Sequence, residues 1–460
     1  MKTTIQTGRF AEVCAGVLAA ATTMLGTDSA LADGLDRWHR RDAGASNYIS
    51  ALTYNPGGVF VAVDQNGPGD FSARPSALLT SKNGRTWERR QTGTNDLVTD
   101  RIAYGNGEYR AVRYSQYAFP GGEVLRSTNG VDWSVLNLDF FEEGLVVKSA
   151  EFVNGRWLMA GVPPGGGIII ECGDPFGPPC PEQPLRVFGI GSGWIDLEVP
   201  TFGSGGTLNL ISADFAYGNG VWVVLAWLYR GEYFDAFGTK PVALFAWRST
   251  DGTNFVRSPA LLQSQANLLN AAEPLRCSVV HGNGRFVAAA HVAGIYSSAD
   301  GFSWTTNFPT PAATLRDVAF GGGQFVAVGA TGGFSSGAIV TSADGVNWRH
   351  RDPGTPEFLR QVEYGSHTFL VTGGSFGESQ PKLVLQSDPI LSLELRQGTE
   401  PQFTLSAPVI SSCRIEFTSD LSGTAPWQVW TNIEVRADPL VFPAPVFTEP
   451  RRFFRAVMDQ

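Results

Sequence analysis

Four arginines lie near the start of four of the seven copies of an internal repeat. They are Arg101, Arg276, Arg316 and Arg360. Arg316 and Arg360 occupy the same place in two copies, in the segments Leu-Arg-Asp-Val and Leu-Arg-Gln-Val. A guanidinium group can hold a carboxylate through two parallel hydrogen bonds, so the pattern predicts a site for an anionic ligand if the repeat brings these arginines together. The alternative is that they pair with Asp317, with Glu363 or with the backbone of neighbouring repeats.

Aromatic residues beside charges form a second candidate binding surface. The richest stretch is residues 229–237, which begins with Tyr229 and contains Tyr233, and residues 114–119 hold a similar set. Such rings can stack on sugars or anchor a protein partner. They could equally form a small core within their own loop, and the sequence leaves both interpretations open.

The sequence shows none of the motifs that mark common enzyme classes. It contains no zinc-binding motif, phosphate-binding loop, dinucleotide fingerprint or Gly-x-Ser-x-Gly segment. We therefore predict no metal and no cofactor. His281 occupies an aromatic position of the repeat, so it is predicted to be a core residue. Carboxylates are plentiful, but glycoside hydrolysis needs two of them at a set separation, which the sequence alone does not specify.

The repeat that must position these residues is clearest over residues 318–348. One strand ends in a short turn, a nearly continuous apolar strand follows, and a third strand ends in a second turn. In four copies the first turn is Asn-Gly, which favours a two-residue hairpin because both central residues need positive φ. Seven copies begin near residues 51, 101, 149, 214, 276, 316 and 360. They predict seven four-stranded blades.

The second turn has the pattern Ser-x-Asp/Asn-Gly-x-x-Trp/Phe. Its five copies span residues 81–87, 127–133, 249–255, 298–304 and 342–348. The Asp or Asn side chain can accept backbone N–H bonds, the Gly supplies a positive φ, and the aromatic residue can pack between blades. This pattern resembles the Asp-box, or BNR repeat, of sialidases, sortilins and photosystem II assembly-factor propellers. The resemblance implies a β-propeller in which these turns lie away from the active site.

The two ends of the repeat array predict how the fold is completed. The stretch around Trp38 resembles the last strand of a repeat and is predicted to complete the seventh blade, which would protect its sheet edge. From residue 390 the strands resemble the small C-terminal β-sandwich modules of exported bacterial proteins, which would act as a packing cap or in attachment or sorting at the cell surface. The predicted fold is all-β: a seven-bladed β-propeller over residues 33–389, closed by an N-terminal strand, and a small C-terminal β-sandwich over residues 390–460.

Composition and the N-terminus indicate an exported protein. Of its 460 residues, 43% are apolar and 17% charged, and the net charge of −9 disfavours nucleic acid and anionic membranes as partners. Residues 1–32 have the pattern of a secretory signal peptide cleaved after Ala32, too short and weakly apolar to remain as a membrane anchor. We expect a monomer that is secreted, periplasmic or at the cell surface.

The five cysteines are consistent with that destination. Cys14 would leave with the signal peptide. Cys172 and Cys180 are close in sequence, and an oxidising compartment would favour a disulfide between them. Cys277 and Cys413 are predicted to be buried thiols.

Long insertions predict where a ligand binds. They fall in loops between the second and third strands and in links between blades, and these share one face of a propeller, the insertion face. Insertions gathered on one face often mark a binding surface, although neutral drift produces the same pattern. The sequence favours a non-catalytic propeller that recognises a glycan or a protein through this face.

Two other functions stay open. The first is a divergent sialidase-like glycoside hydrolase, in which the resemblance would give the arginines the role of the sialidase arginine triad. The sequence departs from that family, because it has no Phe/Tyr-Arg-Ile-Pro segment and no assignable Tyr–Glu pair. The second is an assembly factor for a membrane complex.

Overall fold

A computed structural model describes most of the chain after the predicted signal peptide. The described residues are 34–46, 48–55, 57–65, 76–91, 99, 101–114, 122–136, 146–162, 185–188, 194–199, 208–230, 240–259, 261–266, 275–290, 294–308, 313–331, 336–374, 382–396, 401–407, 412–419, 425–445 and 452–458. Over these ranges every regular element is a β-strand. They include no helix of the length and apolar character that would cross a bilayer.

In the part of the chain that the structure describes, seven antiparallel sheets, each with a path of four strands, form the larger body. Strand β1 (Trp38–Arg41) precedes them. Blade 1 contains β2 (Tyr48–Asn55), β3 (Val59–Gln65), β4 (Ala77–Ser81) and β5 (Glu88–Gln91). Blade 2 contains β6 (Ile102–Gly105), β7 (Glu108–Tyr114), β8 (Gly122–Ser127) and β9 (Ser134–Val135). Blade 3 contains β10 (Val146–Val153), β11 (Arg156–Val162), β12 (Leu185–Phe188) and β13 (Trp194–Leu197).

Blade 4 has an additional strand beyond its path of four. It contains β14 (Leu208–Gly218), β15 (Val221–Arg230), β16 (Lys240–Ser249) and β17 (Val256–Arg257), and β18 (Leu262–Ala266) also pairs with β16. Blade 5 contains β19 (Cys277–Gly282), β20 (Arg285–Ala290), β21 (Gly294–Ser298) and β22 (Thr305–Phe308). Blade 6 contains β23 (Ala313–Gly321), β24 (Gln324–Thr331), β25 (Ser336–Ser342) and β26 (Arg349–Arg351). Blade 7 contains β27 (Leu359–Gly365), β28 (Thr368–Gly373), β29 (Leu383–Ser387) and, from the start of the chain, β1.

The first strand of each blade is its innermost one, and these strands close a ring. β2, β6, β10, β14, β19, β23 and β27 contact one another in that order, and β27 contacts β2. β1 pairs antiparallel with β29, with Trp38 opposite Ser387 and Arg41 opposite Val384. The prediction that the strand around Trp38 completes the last blade is therefore confirmed, and the arrangement is a β-propeller.

The short turns have the geometry that their sequences predict. Asn106, Asn154, Asn219 and Asn283 have φ values between 46° and 51°. In the second turn of blade 6, Asp344 Oδ1 accepts the backbone N–H groups of Val346 and Asn347 at 2.8 Å each, and Ser342 Oγ donates to it at 2.9 Å. Gly345 has a φ of 71°. All these turns lie on one face of the ring, the short-turn face.

Aromatic rings join each blade to its neighbour. Every innermost strand carries an aromatic residue near its end, paired across the hairpin with another ring at 4.6–5.3 Å. At five joints this ring covers a glycine of the preceding blade: Phe152 on Gly105, His281 on Gly218, Phe320 on Gly282, Tyr364 on Gly321 and Tyr54 on Gly365. A Cβ on these glycines would lie 1.9–2.3 Å from the ring. His281 is half-buried and packs on Gly218, as its aromatic position in the repeat predicts, and burial lowers its pKa.

The C-terminal part forms two three-stranded sheets around a shared core. One contains β30 (Ser392–Arg396), β31 (Gln402–Ser406) and β34 (Leu440–Pro443), and the other contains β33 (Gln428–Glu434), β32 (Ser412–Thr418) and β35 (Phe453–Met458). Leu405 of the first sheet and Ile415 of the second share one apolar cluster, as a sandwich requires. This part contacts the short-turn face, where Ile390 N donates to His367 O at 2.7 Å.

The cysteine predictions have different outcomes. Cys277 and Cys413 are buried, as predicted. Burial raises the pKa of the Cys277 thiol to about 12, so this group is not a nucleophile near neutral pH. Cys172 and Cys180 lie outside the described residues, and their disulfide stays a prediction.

Candidate functional site

Five of the seven innermost strands carry a β-bulge near the insertion face. The extra residues are Ser50, Lys148, Ile211, Arg316 and Arg360. A bulge inserts one residue opposite a single partner and re-aims the side chains around it. The aligned Leu-Arg segments of blades 6 and 7 are therefore two bulges in the same place.

Two of the four predicted arginines lie together against one ring. The guanidinium carbons of Arg316 and Arg360 are 5.2 Å and 5.6 Å from the centre of the Phe358 ring. Arg316 is 1% exposed and Arg360 8% exposed. Burial lowers the pKa of Arg360 to about 10. Arg276 precedes β19 and is half-buried.

Arg101 has a different environment from Arg316 and Arg360. Its Nη1 lies 3.2 Å from an oxygen of Glu151 and 3.2 Å from an oxygen of Asp214. Its Nη2 donates to the backbone oxygen of Cys277 at 2.8 Å. Both nitrogens are thus bound by groups of blades 3, 4 and 5. Arg101 therefore pairs within the protein, and its partners are carboxylates that the sequence analysis did not identify.

Asp214 and Asp317 occupy equivalent positions, each four residues before the glycine that ends the innermost strand of its blade, and each joins two blades. Asp214 accepts the N–H of Phe215 at 3.0 Å and that of Val279, in the next blade, at 2.8 Å. Asp317 likewise accepts the N–H of Val318, in its own strand, at 3.0 Å and that of Val362, in blade 7, at 2.9 Å. Burial raises the pKa of Asp317, and the backbone N–H of Val362 acts in the opposite direction.

Glu151 and Glu363 lie two residues further along equivalent strands, opposite Leu158 and Leu370. Burial is the largest influence on both. It raises the pKa of Glu151 to about 8, with Arg101 acting in the opposite direction and Asp214 and Asp317 adding to the rise. For Glu363, burial and three neighbouring carboxylates hold the pKa well above its usual range. Glu151, Asp214, Asp317 and Glu363 are called the channel carboxylates below, because they converge where the innermost strands surround the axis.

The channel carboxylates can perform acid–base chemistry. A carboxylic acid that keeps its proton near neutral pH can donate that proton, and a second carboxyl group beside it can stabilise positive charge. Side-chain exposures of 15% for Arg101 and 22% for Glu151 show that the group is enclosed but not sealed. Across the described part of the chain, no three His, Cys, Asp or Glu side chains are placed to hold a metal ion.

Sequence reasoning named Asp317 and Glu363 only as alternative partners for the arginines, and it missed Glu151 and Asp214. The only trace is a polar residue two positions after another in an innermost strand, as in Ser149-Ala150-Glu151 and Gln361-Val362-Glu363. Their convergence depends on the register of separate blades, which no local pattern contains.

The aromatic surface needs one correction. The sequence predicts Tyr229 as a candidate ligand-binding residue and leaves a core role open; in the structure it is 8% exposed and belongs to an apolar cluster with Trp227 and Leu244. It is still part of β15, and its side chain points inward with the alternation of that strand. Tyr233 lies outside the described residues, as do most residues of the long insertions.

The chain matches no protein-family model and no curated protein. Among solved structures it is similar to an α-L-arabinofuranosidase from Fusarium graminearum, with 12% identity, 66% of this chain and 97% of that chain covered, and a TM-score of 0.39. It is also similar to an α-L-arabinanase from Penicillium chrysogenum, with 13% identity, 76% of this chain and 96% of that chain covered, and a TM-score of 0.39. A Trypanosoma rangeli sialidase has 9% identity, with 90% of this chain and 83% of that chain covered, and a TM-score of 0.36. At these values the similarity concerns the general fold and transfers no activity.

Proposed function

We propose that the protein is a glycoside hydrolase whose chemistry is performed by the channel carboxylates. Glu151 is the general acid, and Asp214 is the carboxylate that stabilises positive charge. The observation that supports this most is the shared arginine. One oxygen of each carboxyl group lies 3.2 Å from the same Nη1 of Arg101, so the two oxygens cannot be farther apart than twice that distance. Retaining glycosidases separate their two carboxyl groups by about 5–5.5 Å.

The proposed reaction needs only these two groups and water. Protonated Glu151 gives its proton to the glycosidic oxygen as the bond from that oxygen to the anomeric carbon breaks, and the alcohol leaves. Asp214, held by Arg101 and two backbone N–H groups, stabilises the positive charge that develops on the sugar. Water then adds to the anomeric carbon and returns a proton to Glu151. If residues 1–32 direct export, the substrate is an extracellular or periplasmic glycan.

A panel of fluorogenic glycosides, including α-L-arabinofuranosides and sialosides, tests this function. We expect turnover of at least one substrate, and Glu151→Gln should lower its kcat by about 10²-fold or more, the usual contribution of a general acid. Glu416→Gln is the matched control, because Glu416 is also held by arginines, at 2.6 Å from both Arg414 and Arg455, but lies in the C-terminal sandwich. Equal activity of the two variants would contradict the assignment.

Recognition without catalysis is the second candidate. Asp214 and Asp317 favour this candidate, because a carboxylate oxygen of each accepts a backbone N–H of the next blade and so has a structural role. A glycan array separates the candidates: saturable binding together with no turnover of any glycoside in the panel would support recognition alone.

A further inference from the structure

We propose that Arg101 is a positioning residue for Glu151 and Asp214, and that Thr99 and Gln65 hold this arginine in place from outside the site. Arg101 fixes the two carboxyl groups relative to each other, so that proton donor and charge-stabilising group serve one glycosidic bond. This role rests on the proposed hydrolase function. The effect of Arg101 on Glu151 can nevertheless be measured without turnover.

The first argument is the reach of the Arg101 side chain. Arg101 precedes β6 in blade 2, yet its guanidinium group contacts blades 3, 4 and 5. Nη1 lies 3.2 Å from both Glu151 and Asp214, and Nη2 donates to the backbone oxygen of Cys277 at 2.8 Å. A guanidinium group is planar and its N–H donors have a fixed geometry, so contacts with three blades define its position. The separation of the two carboxyl groups is therefore set by Arg101.

The second argument is a comparison with the equivalent positions in other blades. Asp214, Ser278 and Asp317 also lie four residues before the glycine that ends their innermost strand. Each of these side chains bonds to a backbone group of the next blade, at 2.8–3.4 Å. The fold therefore needs no more than a short polar side chain at this position. Arg101 is longer and reaches two blades beyond the next one, which is better explained by the carboxyl groups that it holds.

The third argument is the way in which the backbone of Arg101 is held. The hydroxyl group of Thr99 accepts the N–H of Arg101 at 3.1 Å and donates to the backbone oxygen of the same residue at 2.5 Å. Thr99 N donates in turn to Gln65 Oε1, from β3 of blade 1, at 2.7 Å. Thr99 is 0% exposed and Gln65 5% exposed, so water does not compete for these bonds. Blades 1 and 2 thus hold the start of a side chain whose end lies among blades 3, 4 and 5.

Arg101 also influences the proton on Glu151. Burial raises the pKa of Glu151 to about 8, Arg101 acts in the opposite direction, and Asp214 and Asp317 add to the rise. Glu363 faces the same groups, since Glu151 is among the carboxylates that raise its pKa. Removal of the guanidinium group would therefore raise the pKa of Glu151 further. The general acid would keep its proton to higher pH, so the fall of kcat/KM at alkaline pH would move to higher pH.

The pH dependence of kcat/KM, for a glycoside that the wild type hydrolyses, tests this role. Arg101→Met should lower kcat at least about tenfold and move the alkaline fall upward by about 1 pH unit or more. Arg101→Lys keeps the positive charge but not the planar fork, so it should restore most of the pH position while kcat stays below wild type. Thr99→Val keeps the shape and removes the hydroxyl group. It should lower kcat severalfold and move the alkaline fall in the same direction by a smaller amount.

Two controls remove the same chemical groups elsewhere. Arg90→Met removes a cation whose side chain is 55% exposed on β5 and whose partner, Glu88, is 77% exposed. Thr368→Val removes a hydroxyl group that donates to Ser387 O at 2.8 Å in blade 7, and Thr368 is 2% exposed. Both should leave the alkaline fall unchanged, although Thr368→Val is expected to lower thermal stability. Thermal unfolding establishes that each variant is folded, and Arg101→Lys and Thr99→Val provide the test if Arg101→Met is not.

Carbon-13 NMR gives a second measurement that needs no substrate. In protein labelled at the side-chain carboxyl groups of glutamate, the signal that is lost in Glu151→Gln identifies Glu151. Its titration should move to higher pH in Arg101→Met and stay in place in Arg90→Met.

The outcomes separate this inference from the proposed function. Turnover together with a Glu151 titration that Arg101→Met does not move, or with an equal loss of kcat/KM at every pH, would support the hydrolase and overturn the positioning role. A wild-type pH profile in Thr99→Val would overturn the part assigned to Thr99 and Gln65. A moved titration with no turnover of any glycoside would support the influence of Arg101 on Glu151 and contradict the hydrolase.

Discussion

Glu363 occupies a strand position at which most blades have a small or apolar residue. The equivalents are Thr53, Ala103, Glu151, Ala216, Val280 and Ala319. Alanine at this position packs between blades, as Ala216 and Ala319 do. A carboxyl group there is expensive to ionise, because it exchanges water for a low-dielectric surrounding. Its presence in two blades is better explained by a function than by the fold.

This cost predicts a pH dependence of stability that Glu363→Gln removes. The folded-state pKa of Glu363 is raised above the unfolded value, so its favourable contribution is complete below the unfolded pKa and is lost as pH rises through the folded pKa. We expect the variant to be more stable than the wild type by about 1–3 kcal/mol at pH 8, and the difference to vanish near pH 4. Denaturant unfolding at several pH values measures this.

Comparing variants at each pH isolates the effect of Glu363 from that of other groups. His281 acts in the opposite direction, because its pKa is lowered by burial, so its contribution is present above the unfolded pKa and lost as pH falls. That contribution cancels between wild type and variant. Glu88→Gln is the exposed control, and a stability gain of the same size there would show that net charge, not the channel, is responsible.

The sequence predicted correctly the residues whose surroundings are formed by near neighbours in the chain. The Asn-Gly and Asp-Gly turns are determined by φ values and hydrogen bonds within a few residues, and the glycine-covering role of His281 follows from its place in the repeat. The channel carboxylates and the packing of Arg316 and Arg360 on Phe358 bring together separate blades and blade links, so their contacts depend on bulges and on ring closure. The sequence identified Arg101 but not its partners Glu151 and Asp214.

At the level of elements, the repeat predicted strands better than loops. Strands such as β15 and β20 are continuously apolar, because neighbouring blades cover both faces. The long insertions have no such constraint, and Tyr229 shows the consequence: the strand extends further than the sequence indicated and takes this ring into the core.

The joint between blades 6 and 7 provides a test of how elements pack. In Gly321→Ala the new Cβ would lie 2.0 Å from the ring of Tyr364, which is itself paired with Phe369 at 4.8 Å. The ring cannot move away without disturbing that pair, so we expect a loss of about 1–3 kcal/mol of stability, as for overpacked cores. Chemical denaturation measures it.

A double variant distinguishes this clash from a general effect of alanine. Tyr364→Ala alone should also destabilise, because it removes a large, partly buried ring that packs between blades 6 and 7. In Gly321→Ala/Tyr364→Ala the clash no longer exists, so the combined loss should be smaller than the sum of the single losses. Strict additivity would mean that the glycine is not needed for the approach of the ring.

For the molecule as a whole, closure of the ring joins residues far apart in sequence. β1 is held to blade 7 by its pairing with β29, and its side chains extend the contact. Arg40 pairs with Glu357 at 2.8 Å and His39 with Asp388 at 2.7 Å. Trp38 packs with Leu35 in the apolar cluster shared by blades 6 and 7. The C-terminal sandwich follows this blade and contacts its first turn, where Ile390 N donates to His367 O at 2.7 Å.

Removal of β1 tests whether the ring of blades is stable without its N-terminal strand. A chain that begins at Ala43 lacks β1 and Leu35, which is 0% exposed, and leaves the edge of β29 unpaired. We expect it to lose at least about 2 kcal/mol of stability, the value of one buried large side chain, and to aggregate as concentration rises, because an open sheet edge pairs with other chains. A chain that begins at Gly34 is the control, and Leu35→Ala measures the apolar part alone. If the chain from Ala43 unfolds at the same temperature as that control and stays monomeric, the other six joints hold the ring and the N-terminal strand is only an addition to it.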